Sequence, residues 1–503
     1  PLPNSPVRPI QRHTLNDRRL PEILVMKSSV LALVACFLIA PTLCAAAPAP
    51  GFRAGAATSV ITPPLGRPIV GNFIAPLSTN VHDELHARCL VLDDGKTKIA
   101  LVVLDLLGTE VGMCAETRGL IEKQLGIPAS NVLISAVHTH SASSPGGKAP
   151  APAEPEYENY RAFVVQRIVD GVRCAANRLR PAQLACLTTE APEHVFNRRW
   201  FVKPGGARPN PFGGTDQVQT NPSGGSPDLI KPAGPTDPTV TILALREPDG
   251  RPIAVYSTYS LHYVGGVPKG DISADYYGVY CDRLERLLGG NEQDPPLVGL
   301  MANASSGDIN NVNFVQPRPR KEPYEQIRFV AHDLAAKVHA ALAKAEYQDH
   351  VTLAARFRER TIARPMPTAE QIAWSKERLA KPGPKPDQVD LSWSYAQRVR
   401  DMAQGEAQVS VPLQVLRIGP ACLGTMPGEP FCEIGLEFRQ RAAMQPAVLV
   451  EWAHGGFGYI PTAKHFEWGG YETWLGSCAF EPHASEKLLD TLLEMVAEVR
   501  DVK

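Results

Sequence analysis

The sequence contains no two cysteines separated by only two residues, although it has 10 cysteines among 503 residues. This absence excludes the zinc fingers that are built on closely paired cysteines. The 51 Lys and Arg residues nearly balance the 52 Asp and Glu residues, which leaves a net charge of −1. The chain therefore has no excess of positive charge to attract nucleic acid or an anionic membrane. Its content of 44% apolar residues is typical of a globular protein with a large core.

Only one apolar run is long, and it lies near the start of the chain. A basic Lys27 precedes the run Ser28–Pro41, and small residues follow it up to Ala47. The run is shorter than the roughly 20 residues that span a bilayer, so it predicts a cleaved signal peptide at residues 26–47. Residues 1–25 are predicted to be an upstream extension that is not native to the protein. The mature chain is expected to be secreted, to the periplasm or outside the cell, without a transmembrane anchor.

Beyond this leader, apolar segments of strand length alternate with segments of helical periodicity. Lys98–Leu107 and Asn131–Val137 are predicted strands on either side of a helix at Cys114–Leu125, an order that implies parallel strands and a crossover helix. The sequence thus predicts an α/β fold: one large domain at residues 50–503, with mixed β-sheets flanked by helices. Further helices are predicted at Tyr157–Leu179, Asp275–Leu288, Pro323–Ala345 and Pro482–Val499, and further strands at Val240–Leu245, Ile253–Tyr259, Pro296–Met301, Val409–Ile418, Ala421–Met426 and Ala447–Trp452.

Three segments interrupt this alternation. Two stretches rich in Pro and Gly, Ser143–Pro155 and Pro204–Pro238, are predicted to be long loops. Loops of this length inside a compact domain are usually functional or mobile. Residues 365–405 are predicted to form a helical insertion.

Metal-capable side chains follow four of the predicted strands, where ligands gather in α/β proteins. His138 and His140 follow one strand, His262 another and Glu429 a third, while Tyr459 lies in a Gly-rich run after the fourth. Taken singly, each has a plainer interpretation: polar loop histidines, a helix cap at Glu429, or an aromatic ring packed over a turn. Zinc binds imidazole nitrogen and carboxylate oxygen and leaves a position for water. Together these residues predict a site for Zn²⁺.

The chain resembles the neutral/alkaline non-lysosomal ceramidase family from Gly55 to about Val499. The motifs that carry the resemblance are Gly55–Pro63, His82–Leu92, Val137–Gly147 (VHTHSASSPGG), Asn197-Arg198, Ser260–His262, Asn303–Asn311 (NASSGDINN), Met426–Glu429 (MPGE) and Gly458–Tyr471. The resemblance implies that the zinc ligands are His138, His262, Glu429 and Tyr459. It also implies that His140, Arg198 and Tyr471 lie beside the metal, and that Asn310 stands where the family has its active-site serine.

These relationships predict a zinc-dependent hydrolase that cleaves an amide bond, as in the conversion of N-acylsphingosine to a sphingoid base and a fatty acid. Arg198, Tyr471 and Asn310 are expected to hold the oxyanion, and His140 to pass a proton to the leaving amine. Because asparagine cannot form an acyl-enzyme, attack by zinc-activated water is expected instead of covalent catalysis.

The chain departs from the family at Asn310 and in the expected absence of a C-terminal immunoglobulin-like domain. Two alternatives therefore stay open. The same zinc centre could act on a non-lipid amide, ester or glycosidic substrate, or the chain could be a secreted binding protein without turnover. The expected partner is a small-molecule or lipid-like substrate and not nucleic acid, and the oligomeric state stays open.

Overall fold

The computed structural model describes residues 51–145, 155–319, 321–385 and 387–502. The predicted signal peptide at residues 26–47 and the upstream residues 1–25 lie outside the described residues, as do residues 146–154 of the first predicted loop. Within the described ranges, no helix has the length and apolar character needed to cross a membrane.

The strands and helices alternate along the chain. The strands are β1 (Arg53–Val60), β2 (Asn80–Val81), β3 (His86–Asp93), β4 (Lys98–Leu104), β5 (Val132–Ala136), β6 (Arg180–Pro181), β7 (Gln183–Glu190), β8 (Phe196–Asn197), β9 (Arg199–Val202), β10 (Val218–Thr220), β11 (Leu229–Pro232), β12 (Thr239–Arg246), β13 (Pro252–Tyr259), β14 (Asp271–Ile272), β15 (Val298–Asn303), β16 (Ile309–Asn310), β17 (Leu353–Ala363), β18 (Gln408–Ile418), β19 (Ala421–Thr425), β20 (Glu429–Pro430), β21 (Ala447–Val450) and β22 (Tyr459–Ile460). The α-helices are α1 (Val111–Leu125), α2 (Pro155–Asn177), α3 (Asp275–Leu287), α4 (Glu325–Leu342), α5 (Ala369–Leu379), α6 (Leu391–Ala403), α7 (Cys432–Arg441), α8 (Ala463–Trp468) and α9 (Ala484–Arg500).

Three mixed sheets form the framework, with the strand orders β5-β4-β3-β1-β6, β15-β13-β12-β7 and β17-β18-β19-β21. Each sheet combines antiparallel neighbours with one parallel pair: β4 with β5, β13 with β15, and β19 with β21. A helix joins the two strands of each pair, as a parallel connection requires; the helices are α1, α3 and α7. We call each parallel pair with its helix a crossover unit. The predicted α/β fold of mixed sheets flanked by helices is confirmed.

The first crossover unit shows why the local sequence folds in this way. All residues of β4 after Lys98 are buried, as expected for a strand that is covered on both faces. Glu110 caps the N-terminus of helix α1, where its carboxylate accepts from the backbone N–H groups of Gly112 and Met113. Gly126 follows the last residue of the helix and adopts the left-handed conformation that favours glycine, with φ at 67°.

The cores between these layers bring the three crossover units together. One buried cluster contains residues of all three sheets, among them Leu101, Leu243 and Leu423. Bridges between Ser135 and Ala453 and between Ala304 and Val450 then connect the strand ends directly. The carboxyl ends of the three parallel pairs therefore meet in one region.

The eight cysteines among the described residues are all free thiols, and six of them are buried.

The two remaining predicted segments differ in how closely they match the structure. Helices α5 and α6 lie within residues 365–405, between the antiparallel partners β17 and β18. The prediction of a plain loop at Pro204–Pro238 is incomplete, because β10 and β11 lie within it and pair with β9. Phe212 from this segment packs on Trp374 of α5 and Tyr395 of α6, with ring centroids 5.2 and 5.8 Å apart.

Candidate metal centre

Three histidines converge where two of the crossover units meet. His138 and His140 follow β5, and His262 follows β13. The Nε2 atom of His138 lies 3.0 Å from Nε2 of His262 and 3.2 Å from Nε2 of His140. Two imidazole nitrogens bound to one zinc ion at about 2.0–2.1 Å would lie roughly 3.3 Å apart. The three rings are therefore arranged so that they could hold a single metal ion.

Glu429 reaches the same point from the third crossover unit. Its Oε2 atom lies 3.5 Å from Nε2 of both His138 and His262. This oxygen is buried and has no hydrogen-bond partner among the described residues. A buried carboxylate oxygen without a partner is costly, and a cation at this point would remove the cost. The helix-cap interpretation of Glu429 fails, because Phe431 occupies the N-cap position of α7 and no side chain caps this helix.

Backbone carbonyl groups behind two of the rings fix their tautomers. Nδ1 of His138 lies 2.6 Å from the carbonyl oxygen of Leu107, and Nδ1 of His262 lies 3.3 Å from that of Ser306. A ring nitrogen that faces a carbonyl oxygen carries the proton, so each Nε2 keeps its lone pair toward the centre. Burial holds the pKa of His140 and of His262 well below 6.5. Both rings are therefore neutral, which is the form that binds a metal.

The position of His138 depends on an unusual backbone and on a stacked neighbour. Its φ is 74°, a conformation that costs a residue other than glycine about 1–3 kcal/mol. Its ring lies against Trp452, with centroids 4.8 Å apart and planes inclined by 17°. Trp452 packs on Gly108, where a Cβ would come within 2.6 Å of the indole ring. Glycine at position 108 thus leaves the space that Trp452 occupies beside the first histidine.

Arg198 is a buried guanidinium directed at the same centre. Its Nε donates to Oε1 of Glu472 at 3.1 Å, and its Nη2 donates to the carbonyl oxygen of Gly307 at 2.7 Å. Its Nη1 lies 3.5 Å from Nε2 of His262. Burial by itself would lower the pKa of Arg198, but Tyr459 and the nearby carboxylates raise it. Arg198 is therefore a fixed positive charge beside the histidines.

Two tyrosines lie on the Glu429 side of the centre. Glu429 and Tyr459 are direct partners in the parallel pairing of β20 with β22. The Tyr459 ring meets Tyr471 at 5.5 Å and an interplanar angle of 71°, and the Arg198 guanidinium carbon lies 5.2 Å from the Tyr459 centroid. Burial raises the pKa of Tyr459 well above 10 and also raises that of Tyr471. Both phenols therefore keep their protons and can donate a hydrogen bond.

The side chain of Asn310 forms its hydrogen bonds with residues outside the histidine cluster. Its side-chain nitrogen donates to Oδ1 of Asn221 at 2.9 Å, and its Oδ1 accepts from the backbone N–H of Val312 at 2.7 Å. It lies in β16, which pairs with β8 just before Arg198. Within the described residues, no hydrogen bond joins Asn310 to the histidine cluster, and its catalytic role stays a prediction.

Two carboxylates at the centre were not predicted from the sequence. Glu472 binds both Arg198 and Arg199, at 3.1 and 2.7 Å. Glu451 follows β21, and its two oxygens accept from the backbone N–H and the hydroxyl of Ser306, both at 2.9 Å. A carboxylate at the end of a predicted strand is the signal that marked Glu429, and it applies equally to Glu451.

A cavity of about 380 Å³ opens beside His140. Tyr263 forms one wall and stacks on the His140 ring, with centroids 3.8 Å apart. Ile74 contributes apolar surface, whereas Lys269 and Asp271 contribute charge. The space next to the histidines therefore presents both apolar and charged side chains to a ligand.

Comparison with solved structures shows where this fold occurs elsewhere. A ceramidase complexed with C2 aligns with a TM-score of 0.65 and 17% identity, over 90% of this chain and 75% of that chain. The neutral ceramidase from Pseudomonas aeruginosa aligns with a TM-score of 0.64 and the same identity and coverage. No family model and no curated protein sequence matches the chain. The resemblance to neutral ceramidases is thus confirmed for the fold, and the activity has to be argued from the site.

Proposed function

We propose that the protein is a secreted zinc-dependent hydrolase that cleaves the amide bond of ceramide-like substrates. The observation that carries the proposal is the buried, unpartnered Oε2 of Glu429, 3.5 Å from Nε2 of both His138 and His262. In this proposal, zinc is held by those three residues and Tyr459. Bound zinc would lower the pKa of water from about 15.7 to about 7 and so supply a nucleophile at neutral pH. The fold shared with neutral ceramidases supports amide chemistry, and the predicted signal peptide supports export.

Arg198 would stabilise the negative charge that develops on the substrate carbonyl oxygen. Its Nε and Nη2 are occupied by Glu472 and Gly307, so Nη1 is the nitrogen that faces the reaction. A fixed donor of this kind typically contributes about 10²–10³ in kcat. Tyr471, a protonated phenol next to Tyr459, would be a second donor. Asn310 would contribute only if its amide turned away from Asn221.

His140 would transfer a proton to the leaving amine. Its neutral Nε2 can accept a proton and pass it to the leaving amine, which would otherwise depart as an unstable anion. The same atom lies 3.2 Å from Nε2 of His138, and is therefore also within reach of the ion. A His140→Ala variant separates the two roles: a proton carrier leaves zinc content intact and lowers turnover, whereas a ligand lowers both.

A polar substrate is the second candidate, and the cavity beside His140 favours it. Lys269 and Asp271 line that cavity together with apolar residues. A charged or hydroxylated amide, ester or glycoside could therefore bind there. A wild-type protein that binds zinc and hydrolyses neither substrate class would instead be a binding protein.

The first test is the metal content of the purified protein. We expect one zinc per chain in the wild type and in His465→Ala, and none in the double variant His138→Ala/Glu429→Ala. His465 is a suitable control because it is fully buried and pairs with a carboxylate, Glu433, outside the centre. A wild type that takes up no zinc after loading would refute the proposal.

The second test is a substrate panel assayed with saturating zinc. N-acylsphingosines of different acyl length represent the lipid class, and N-acyl amino acids, aryl esters and aryl glycosides represent the polar class. Hydrolysis of the sphingosine amides supports the first proposal. Activity confined to the polar compounds would replace it with the second.

A further inference from the structure

Glu451 is a buried carboxylate that the proposed mechanism does not use. It is 0% exposed and directly follows β21, in the third sheet. Both of its oxygens are occupied by one residue, Ser306, which follows β15 in the second sheet. The backbone N–H of Glu451 also donates to the carbonyl oxygen of Asn303 at 3.1 Å. The hydrogen bonds of Glu451 therefore connect the end of the third sheet to the loop that follows β15.

Ser306 in turn faces the side of His262 that is turned away from the centre. Nδ1 of His262 lies 3.3 Å from the carbonyl oxygen of Ser306 and 3.5 Å from its Oγ. Because the Ser306 hydroxyl donates its only proton to Glu451, Oγ presents a lone pair to Nδ1. Both Ser306 oxygens then accept from Nδ1–H, which leaves the Nε2 lone pair of His262 directed at Glu429 and His138.

We propose that Glu451 is a positioning residue of the metal centre, acting on His262 through Ser306. The inference rests on the proposed zinc site and adds a residue to it. Carboxylates that hold a ligating histidine from behind fix its orientation and increase its basicity. Here the carboxylate acts through a serine, and it is delivered by a different sheet from the histidine that it orients.

Charge gives an independent reason for the same assignment. Within the described residues, Ser306 supplies all of the side-chain hydrogen bonds to Glu451, and no cationic side chain forms an ion pair with it. Glu429 is a second buried carboxylate at the same centre. Burial and the repulsion of Glu429 raise the pKa of Glu451 well above its ordinary value, against the hydrogen bonds of Ser306 and the charge of Arg198, which lower it. A divalent ion held by Glu429 and the histidines would offset the repulsion between the two carboxyl groups, so ion binding and the ionised form of Glu451 would favour each other.

The test is the dissociation constant for Zn²⁺, measured by competition with a chromophoric chelator at constant pH. We expect Glu451→Gln to bind zinc about 10- to 100-fold more weakly than the wild type. Ser306→Ala removes only the hydroxyl and should weaken binding less. Since the two residues act along one path, the effects in the double variant should not add. Glu285→Gln is the control: Glu285 accepts from the backbone N–H of Gly299, away from the centre, and its loss should leave zinc affinity unchanged.

Each outcome has a distinct meaning. Weaker zinc binding in folded Glu451→Gln and Ser306→Ala, with the circular dichroism and thermal unfolding of the metal-free forms unchanged, supports the positioning role. Wild-type affinity in both variants overturns it and leaves the zinc-hydrolase proposal standing. A wild type without zinc overturns both. A lower unfolding temperature of metal-free Glu451→Gln with unchanged affinity would show that Glu451 only stabilises the contact between the sheets.

Discussion

Glu429 and Tyr459 are direct neighbours in register, although 28 residues of chain separate β20 from β22, because these two short strands pair in parallel. The pairing sets Tyr459 in register with Glu429, whose carboxylate lies 3.5 Å from Nε2 of both His138 and His262. It also leaves Oε2 of Glu429 buried without a partner. The energetic consequences of this oxygen can be measured directly.

Replacing Glu429 by Gln should abolish zinc binding and yet stabilise the metal-free protein. The substitution removes a buried charge whose Oε2 has no hydrogen-bond partner, so we expect the free energy of unfolding of the metal-free form to rise by about 1–3 kcal/mol. Urea unfolding with a chelator present measures this. The wild type should gain about 2.7 kcal/mol at a free zinc concentration of 100 times Kd, and Glu429→Gln should gain nothing. An equal gain in both proteins would place the ion elsewhere.

Arg198→Lys should reduce kcat by about 10²–10³ and leave zinc content unchanged. A lysine ammonium cannot keep the contacts with Glu472 and Gly307 and also direct a donor at the centre. Steady-state kinetics together with metal analysis measure both quantities. The control is Arg439→Lys, since Arg439 donates through both Nη atoms to Asp237 away from the centre. This control should lose stability and keep its kcat, and equal kcat values for the two variants would contradict the role of Arg198.

Two glycine-to-alanine substitutions should change stability in opposite directions. A Cβ at Gly108 would stand 2.6 Å from the Trp452 ring, whereas a Cβ at Gly119, on the exposed side of α1, would meet no atom within 4 Å. We therefore expect Gly108→Ala to lower the free energy of unfolding by about 1–3 kcal/mol and Gly119→Ala to raise it by about 0.5–1 kcal/mol. Gly108→Ala should also weaken zinc binding, because Trp452 supports His138. Normal zinc affinity in this variant would show that the stacking is not needed.

The stability contributed by Glu433 should depend on pH. Burial tends to raise the pKa of Glu433, but hydrogen bonds from His465, Lys464 and Thr462 outweigh it and lower the pKa from 4.5 to about 2. A lowered pKa stabilises the fold when the carboxylate is ionised, so the contribution is complete above about pH 4.5 and is lost as the pH falls toward 2. Wild type should therefore exceed Glu433→Gln in stability at pH 7, and the difference should shrink at pH 3.

Urea unfolding at these two pH values measures the difference. Glu437→Gln, on the same helix and paired with Arg441 at the surface, is the matched control. Its stability relative to wild type should change little between the two pH values. A gap between wild type and Glu433→Gln that stays constant down to pH 3 would contradict the assignment.

A strand made almost entirely of apolar residues could be predicted from the sequence, whereas a strand whose apolar residues are interrupted by charged ones could not. The strand at Lys98–Leu104 lies in a predicted strand because nearly all of its residues are apolar and buried. β17 was missed, because LAARFRERTIA interrupts its apolar residues with charges. Those charges face a helix and not only water: Arg356 and Arg358 form ion pairs with Glu498 of α9. This arrangement depends on a helix about 140 residues away in the chain.

In the candidate site, too, local sequence signals could be recognised, whereas contacts between distant parts of the chain could not. His138, His262 and Glu429 could be proposed because each follows a predicted strand, and a strand end is a local signal. The partner of Glu451 could not be proposed, because Ser306 lies 145 residues away in the sequence. Asn310 was assigned by its position in a resembling motif, which carries no information on its bond to Asn221.

The distribution of His138, His262 and Glu429 over three crossover units has a consequence for the lifetime of a bound ion. No single unit contains enough ligands to retain the ion, and His138 and His262 are already 124 residues apart. Separation of any one unit from the others would open the ligand set. In kinetic terms, the slow opening of the sheets, and not the breaking of one metal–ligand bond, would then limit how fast zinc exchanges with solution.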